Sequence, residues 1–142
     1  NYTKAVEWYS KSSEQKNPGA MNNLAGCYQH GEGVDKDHTK TFEWYEKSAN
    51  LGCSCAMTNV GISYEVGEGV TKDLNKAKEW YTKGAAQGNA DSQKHLRREE
   101  AKQRYKQLKQ EGADDEMVAQ AKALYKSLYK SRYHWYSPNT KD

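Results

Sequence analysis

The sequence predicts an all-α array of stacked helical hairpins, and three observations carry that reading. A tryptophan-tyrosine pair recurs at Trp8-Tyr9, Trp44-Tyr45 and Trp80-Tyr81, 36 residues apart each time. Residues 20–55 and 56–91 agree at 17 of 36 positions without a gap. Within each period the apolar residues fall at three- and four-residue spacing, the phase of a helix with one buried stripe. Self-similarity at a period in the thirties marks a helical repeat.

The first helix of a unit is read over residues 20–30, where Ala20, Met21, Leu24 and Tyr28 form the stripe; Ala56, Met57, Val60 and Tyr64 repeat it. The small pair Ala25/Gly61 admits a close neighbour. Gly31 and Gly67 stand where a left-handed residue stops a helix, and Gly33 and Gly69 allow a second unusual angle before Val34 and Val70 anchor the turn. Asp37 and Asp73 are placed to cap the second helix. That helix carries Phe42, Trp44, Tyr45 and Ala49 in one copy and Ala77, Trp80, Tyr81 and Ala85 in the other, ending near Gly52 and Gly88. Neither helix buries its stripe alone, so stacking is obligatory. The expected organisation is the second helix of a partial repeat over 1–19, complete repeats over 20–55 and 56–91, a degenerate repeat with a C-terminal helical cap over 92–136, and a tail over 137–142. After Leu96 the turn signature is missing, so the helix is expected to run on to Gly112, with Asp114 capping a last helix that bears Met117, Leu124, Tyr125 and Tyr129.

The string Ala-x-x-x-(Leu/Val)-(Ala/Gly)-x-x-Tyr-x-x-Gly-x-Gly-Val-x-x-Asp-x-x-Lys-(Ala/Thr)-x-x-Trp-Tyr-x-Lys-x-Ala-x-x-Gly resembles the Sel-1-like repeat, a relative of the tetratricopeptide repeat. The resemblance implies a right-handed α/α superhelical solenoid that serves as a non-catalytic scaffold or adaptor, or as a subunit of a larger assembly. It also implies that the first helix of each unit lines a concave face. The side chains left for a partner there are Asn22, Asn23, Gln29 and His30, then Thr58, Asn59, Ser63 and Glu65, with Lys94, His95 and Arg98 extending the row. These are amide-rich positions suited to hydrogen-bonding a peptide backbone. Asn23 and Asn59 share a repeat position and have a second reading, as ties between helices. Some bacterial members of the family are associated with β-lactam binding, which leaves a hydrolase or β-lactam-binding protein as a minor alternative.

Composition narrows the field further. The chain has 142 residues and a formal net charge of +3, a balance that points to no particular partner. Leu, Ile, Val and Phe number 15, and mean hydropathy is −1.18, values that alone suggest disorder. Against this stand the low net charge and the 11 Tyr, 4 Trp and 14 Ala, which build a core of rings against small residues. No apolar run is long enough to span a bilayer. The sequence opens at Asn1, inside a repeat, so an upstream segment is expected. Cys27, Cys53 and Cys55 are odd in number and out of phase with the repeat, which argues for a reducing intracellular compartment.

The remaining motifs read as structural. Trp8, Trp44 and Trp80, repeating in phase, are assigned to the core, with Tyr28 and Tyr64 beside them. Gly31, Gly33, Gly67 and Gly69 follow a helix rather than a strand and belong to turns, not to a phosphate loop. Cys53-x-Cys55 lacks the further ligands of a closed zinc site, and His30, His38, His95 and His134 stand beside no nucleophile or paired acid. No metal, cofactor or catalytic residue is expected. One asymmetry remains: residues 94–142 hold 12 Lys or Arg against 7 Asp or Glu, whereas residues 1–93 hold 10 against 12. There Lys126, Lys130, Arg132 and Tyr133 form a candidate docking element. A protein partner is preferred for it over nucleic acid or an anionic membrane surface; the plainer reading packs Tyr125 and Tyr129 under a cap.

Overall fold

The computed structural model describes residues 1–130, which form seven α-helices and no strand. In order these are α1 (Tyr2–Glu14), α2 (Pro18–His30), α3 (His38–Asn50), α4 (Ser54–Val66), α5 (Leu74–Ala86), α6 (Ala90–Gln110) and α7 (Asp115–Lys130). The chain divides into two compact units, residues 1–93 and the residues from Lys94 onward. In the first unit α2 and α4 open their repeats and are called A helices; α1, α3 and α5 close them and are called B helices. Each of the five is 13 residues long.

Their ends are set by residues recurring at the period. Asn1, Asp37 and Asp73 cap the B helices: Asp37 Oδ1 accepts from the Lys40 amide at 3.0 Å, and Asp73 Oδ1 from those of Asn75 and Lys76 at 3.1 Å. Asn17 caps α2 through the amide of Ala20, and Asn89 caps α6 through that of Ser92. The equivalent residue of the middle repeat is Cys53, whose side chain makes no cap bond. Gly31 and Gly67 end the A helices at φ of 68° and 74°. At the B-to-A turns the left-handed position is Gly52 and Gly88 in two repeats but Lys16, at φ 58°, in the first.

The next glycines of the A-to-B loops fix how one repeat meets the one before. Gly33 and Gly69 have positive φ, and a Cβ on either would strike backbone: the Tyr2 carbonyl for Gly33 and the His38 carbonyl for Gly69. Tyr2 and His38 are one period apart and open α1 and α3, so each loop lies on the start of the preceding B helix. Within a repeat, Ser48 ties α3 to the start of α2, its hydroxyl donating to the Pro18 carbonyl at 2.6 Å. Between α4 and α6, one repeat and the next, the buried Thr58 and Ser92 hydroxyls lie 2.6 Å apart.

The core of the first unit is built from Ala25, Phe42, Tyr45, Ala49, Ala56, Met57 and Val60. It is a core of rings and small residues, as the composition requires. Phe42 meets Tyr64 edge to face at 5.3 Å. Tyr45 and Tyr81 point inward, and the Tyr81 ring fills the room where a Cβ on Gly61 would be. Both hydroxyls find an acceptor on the preceding A helix. Tyr45 donates to Gln29 Oε1 at 2.9 Å and Tyr81 to Glu65 Oε2 at 2.8 Å, the same contact one period apart. Burial, together with Glu68 and Cys27, pushes the Tyr45 hydroxyl up to about 12.

The tryptophans do not occupy the core positions expected of them. Trp8 is 72 % exposed, while Trp44 and Trp80 are half-buried at the margin of the core. The tyrosine next in sequence takes the inward direction, and a step of about 100° around the helix leaves its tryptophan neighbour on the flank. There the Lys47 and Lys83 ammonium groups cover the Trp44 and Trp80 rings at 4.5 and 4.4 Å. Tyr28 and Tyr64 are likewise half-buried, beneath Lys40 and Lys76.

In the second unit α6 continues without a break to Gln110, Gly112 turns the chain at φ 68°, and Asp114 Oδ1 caps α7 through the Glu116 and Met117 amides. Ala101 and Leu108 are buried, Tyr105 stacks on Tyr125 at 6.2 Å, and the Arg98 guanidinium lies 4.6 Å from the centre of the Tyr129 ring.

Three outcomes are expected. Tyr81→Ala should lower stability by about 3–5 kcal/mol, the range for emptying a large buried aromatic site, and Trp8→Ala by no more than about 0.5 kcal/mol; chemical denaturation ranks them. Cys53→Asn should supply the missing cap and raise stability by about 1 kcal/mol, read as a higher denaturation midpoint at unchanged slope. Tyr45→Phe should lower stability by about 1 kcal/mol at neutral pH through the lost hydroxyl bond. Because the folded-state value lies above the unfolded value of about 10, the native hydroxyl's contribution is complete below that pH and fades as pH rises toward 12. The deficit of Tyr45→Phe should therefore shrink across that window in denaturation measured against pH.

Candidate functional site

The A helices hold the residues expected to face a partner, and the structure sorts them into two groups. Asn23 and His30 are exposed on α2, and Asn22 and Asn59 are half-buried beside them. The Asn59 carboxamide Nδ2 donates to Asn22 Oδ1 at 3.1 Å, joining neighbouring A helices. The cross-helix partner of Asn59 is thus Asn22 and not the residue at its own repeat position, Asn23.

The others serve the fold, which corrects their assignment to a free surface. Gln29 and Glu65 accept the tyrosine hydroxyls, and Glu65 is only 8 % exposed. Thr58 is buried, with its hydroxyl among the Ser54 carbonyl, Asn89 Oδ1 and Ser92 Oγ. Ser63 is buried and donates to the Asn59 carbonyl at 3.0 Å. In the second unit Lys94 is exposed, but His95 and Arg98 are buried, with Arg98 Nη2 at 2.8 Å from His95 Nδ1. The physical cause is shared: polar side chains on the buried flank of a helix must bond one another because water does not reach them.

Charge is divided sharply between the two helix types of the first unit. α1, α3 and α5 each carry four Asp, Glu, Lys or Arg residues. α2 carries none, and α4 carries Glu65 alone, which is buried on Tyr81. What α2 and α4 show to solvent is therefore amide, imidazole, small and apolar: Gly19, Asn22, Asn23, Gly26 and His30 on one, Cys55, Asn59, Ile62 and Val66 on the other. The first turn of α6 brings the row's first ionised residue, Asp91, one period after Cys55.

Sequence reasoning missed the tyrosine acceptors, although their signal was present: Gln29 to Tyr45 and Glu65 to Tyr81 share one spacing. Of the C-terminal docking candidates, Lys126 is exposed on α7, whereas the Lys130 side chain, Arg132 and Tyr133 lie outside the described residues. Cys27, Cys53 and Cys55 are free thiols, and burial pushes that of Cys27 up, with Glu32 adding to the effect. Among the described residues no group of three or more His, Cys, Asp or Glu is arranged to hold a metal, and no helix is long and apolar enough to cross a membrane.

Solved structures place these helices among known repeat proteins. A Sel1 repeat protein from Oxalobacter formigenes is 43% identical, with a TM-score of 0.63 over 65% of this chain and 69% of that one. A protective antigen present in uropathogenic Escherichia coli strains, displaying an SLR fold, is 32% identical, with a TM-score of 0.68 over 89% of this chain. This chain spans 26% of the antigen's length. Cysteine rich protein B of Helicobacter pylori is 26% identical, with a TM-score of 0.63 over 65% of this chain and 69% of that one. No curated protein matches the chain. With the Sel1 repeat model matching residues 1–17, 18–53 and 56–89, the chain belongs to the Sel1 repeat family.

Proposed function

We propose that the chain is a non-catalytic protein-interaction module that binds a partner protein on the face formed by α2 and α4. The observation that carries this reading is the Asn22–Asn59 pair. Each carboxamide offers both a donor and an acceptor group, and their mutual bond engages only Asn22 Oδ1 and Asn59 Nδ2. The Asn22 amide and the Asn59 oxygen remain for a partner, the donor and acceptor that one peptide unit requires. Exposed Asn23 and His30 lie beside them on α2. The family supports the same reading, since Sel1 repeats generally act in protein-protein interaction.

A photo-crosslinking amino acid placed at Asn23 tests the face against the same residue at Glu79, which is exposed on α5. Incubated in extract of the native organism, the Asn23 probe should form a discrete protein adduct and the Glu79 probe none. Asn59→Ala should weaken capture of that partner about tenfold, the equivalent of one or two hydrogen bonds, while lowering stability by about 1 kcal/mol. Adducts forming equally at both positions, or only at Glu79, would place the partner elsewhere.

A further inference from the structure

One glycine of α2 answers to neither packing nor backbone geometry. Gly26 lies in mid-helix without positive φ, and a Cβ built on it meets nothing within 4 Å. The other mid-helix glycines of the first unit are accounted for: a side chain on Gly61 would overlap the Tyr81 ring, and one on Gly84 the Ser92 side chain. A glycine in mid-helix is less stable than an alanine, and here that disadvantage stands although room for a side chain is open.

Its location gives the vacancy a meaning. Gly26 follows Asn22 by one helical turn and precedes His30 by another, and Ile62 occupies its position on α4, one period along and half-buried. One turn beyond Ile62, Val66 is 46 % exposed. All of this lies on the face that shows solvent no Asp, Glu, Lys or Arg, although charged residues make up 29% of the chain. Depletion of charge is what separates the centre of a protein interface from ordinary surface, because uncharged groups are the ones that dehydrate at small penalty.

We propose that the open space over Gly26, with Ile62 and Val66 on the neighbouring A helix, is a notch for a branched apolar side chain on an uncharged segment of the partner. The proposal rests on the α2/α4 reading above and adds the partner's chemistry to it. Absence of charge is itself the complementarity. A Lys or Glu entering the notch would be dehydrated with no exposed Asp, Glu, Lys or Arg on either A helix to meet it, Glu65 being buried on Tyr81.

Three labelled peptides of Gly, Ser, Asn and Thr, identical except for a central Leu, Lys or Glu, are titrated into the full chain. Binding is followed by the NMR signals of Gly26, Ile62 and the Asn22, Asn23 and Asn59 carboxamides. The Leu probe should shift these signals and bind about tenfold more tightly than the Lys or Glu probe. Its affinity should change less than about twofold between roughly 0.05 and 0.5 M salt, as expected where no ion pair forms. Gly26→Leu fills the notch with a better helix former, so it should keep or raise stability and abolish the preference for Leu. Ile62→Lys should turn the preference toward the Glu probe. Equal binding of all three probes, or a Leu preference that survives Gly26→Leu, overturns the notch and leaves the binding face standing. Shifts confined to the B helices, or no shift with any probe, overturn the notch and the face together.

Discussion

α3 and α5 each lay a tyrosine ring against the A helix before them, and the hydroxyl at the end of that ring has to find an acceptor there. Tyr45 reaches Gln29 and Tyr81 reaches Glu65, while the second ring is admitted only because Gly61 has no side chain. A buried hydroxyl left without a partner would cost more than its bond contributes, so ring and acceptor come as a unit. Much else follows from that unit. It fixes which side of the B helix faces inward, and so sends Trp44 and Trp80 to the flank beneath their lysines. It also removes Gln29 and Glu65 from the surface available to a partner.

Translation from one repeat to the next depends on a second constraint, the fit of each A-to-B loop on the start of the preceding B helix. Gly33 on Tyr2 and Gly69 on His38 are backbone-to-backbone approaches in which any side chain would intrude. Where the period is not kept, the departures fall at positions that tolerate them. Lys16 takes the left-handed conformation that Gly52 and Gly88 adopt elsewhere, and Cys53 stands where Asn17 and Asn89 cap. Both lie at B-to-A turns, where the helix ends are set by backbone bonds common to all three turns, such as those from Asn17 to Ser12, Cys53 to Ser48 and Asn89 to Gly84. A missing cap or a strained residue there weakens a helix end without shifting the register of the stack.

The repeat, its caps and its glycine stops were legible in the sequence because each is a local requirement of the backbone that recurs in phase. Asp37, Asp73, Gly31 and Gly67 do what their residue types do at helix ends. The inward direction was harder to read. Trp44 and Tyr45 are adjacent large aromatics, and periodicity alone does not decide which of two neighbours turns toward the core. Size favoured the tryptophan; the availability of a hydroxyl acceptor on the preceding helix favoured the tyrosine, and that is a property of two helices rather than one. The same limit applies to the proposed binding face. Thr58 sits on a helix that also shows amides to solvent, but its hydroxyl is met by Asn89 and Ser92, which arrive from more than thirty residues away. Gly26 carried no signal at all, since an empty volume beside a glycine exists only once its neighbours are placed.

What remains on the A helices after the fold has taken its share explains why a partner would be read there in uncharged terms. The charge on the helices of the first unit is carried by the B helices, with four Asp, Glu, Lys or Arg residues apiece, whereas α2 has none and α4 only the buried Glu65. The exposed polar groups they keep are amides and the His30 imidazole, and amides bond by direction rather than by charge. A carboxamide pair such as Asn22 and Asn59 accepts one geometry of approach and loses little to salt, whereas a lysine row would attract any anionic surface. Selectivity then has to come from shape, and on this face the open ground above Gly26 interrupts the row of side chains in mid-helix. A glycine that weakens its own helix at that point is consistent with a surface shaped to be filled from outside, in a fold whose other mid-helix glycines are filled from within.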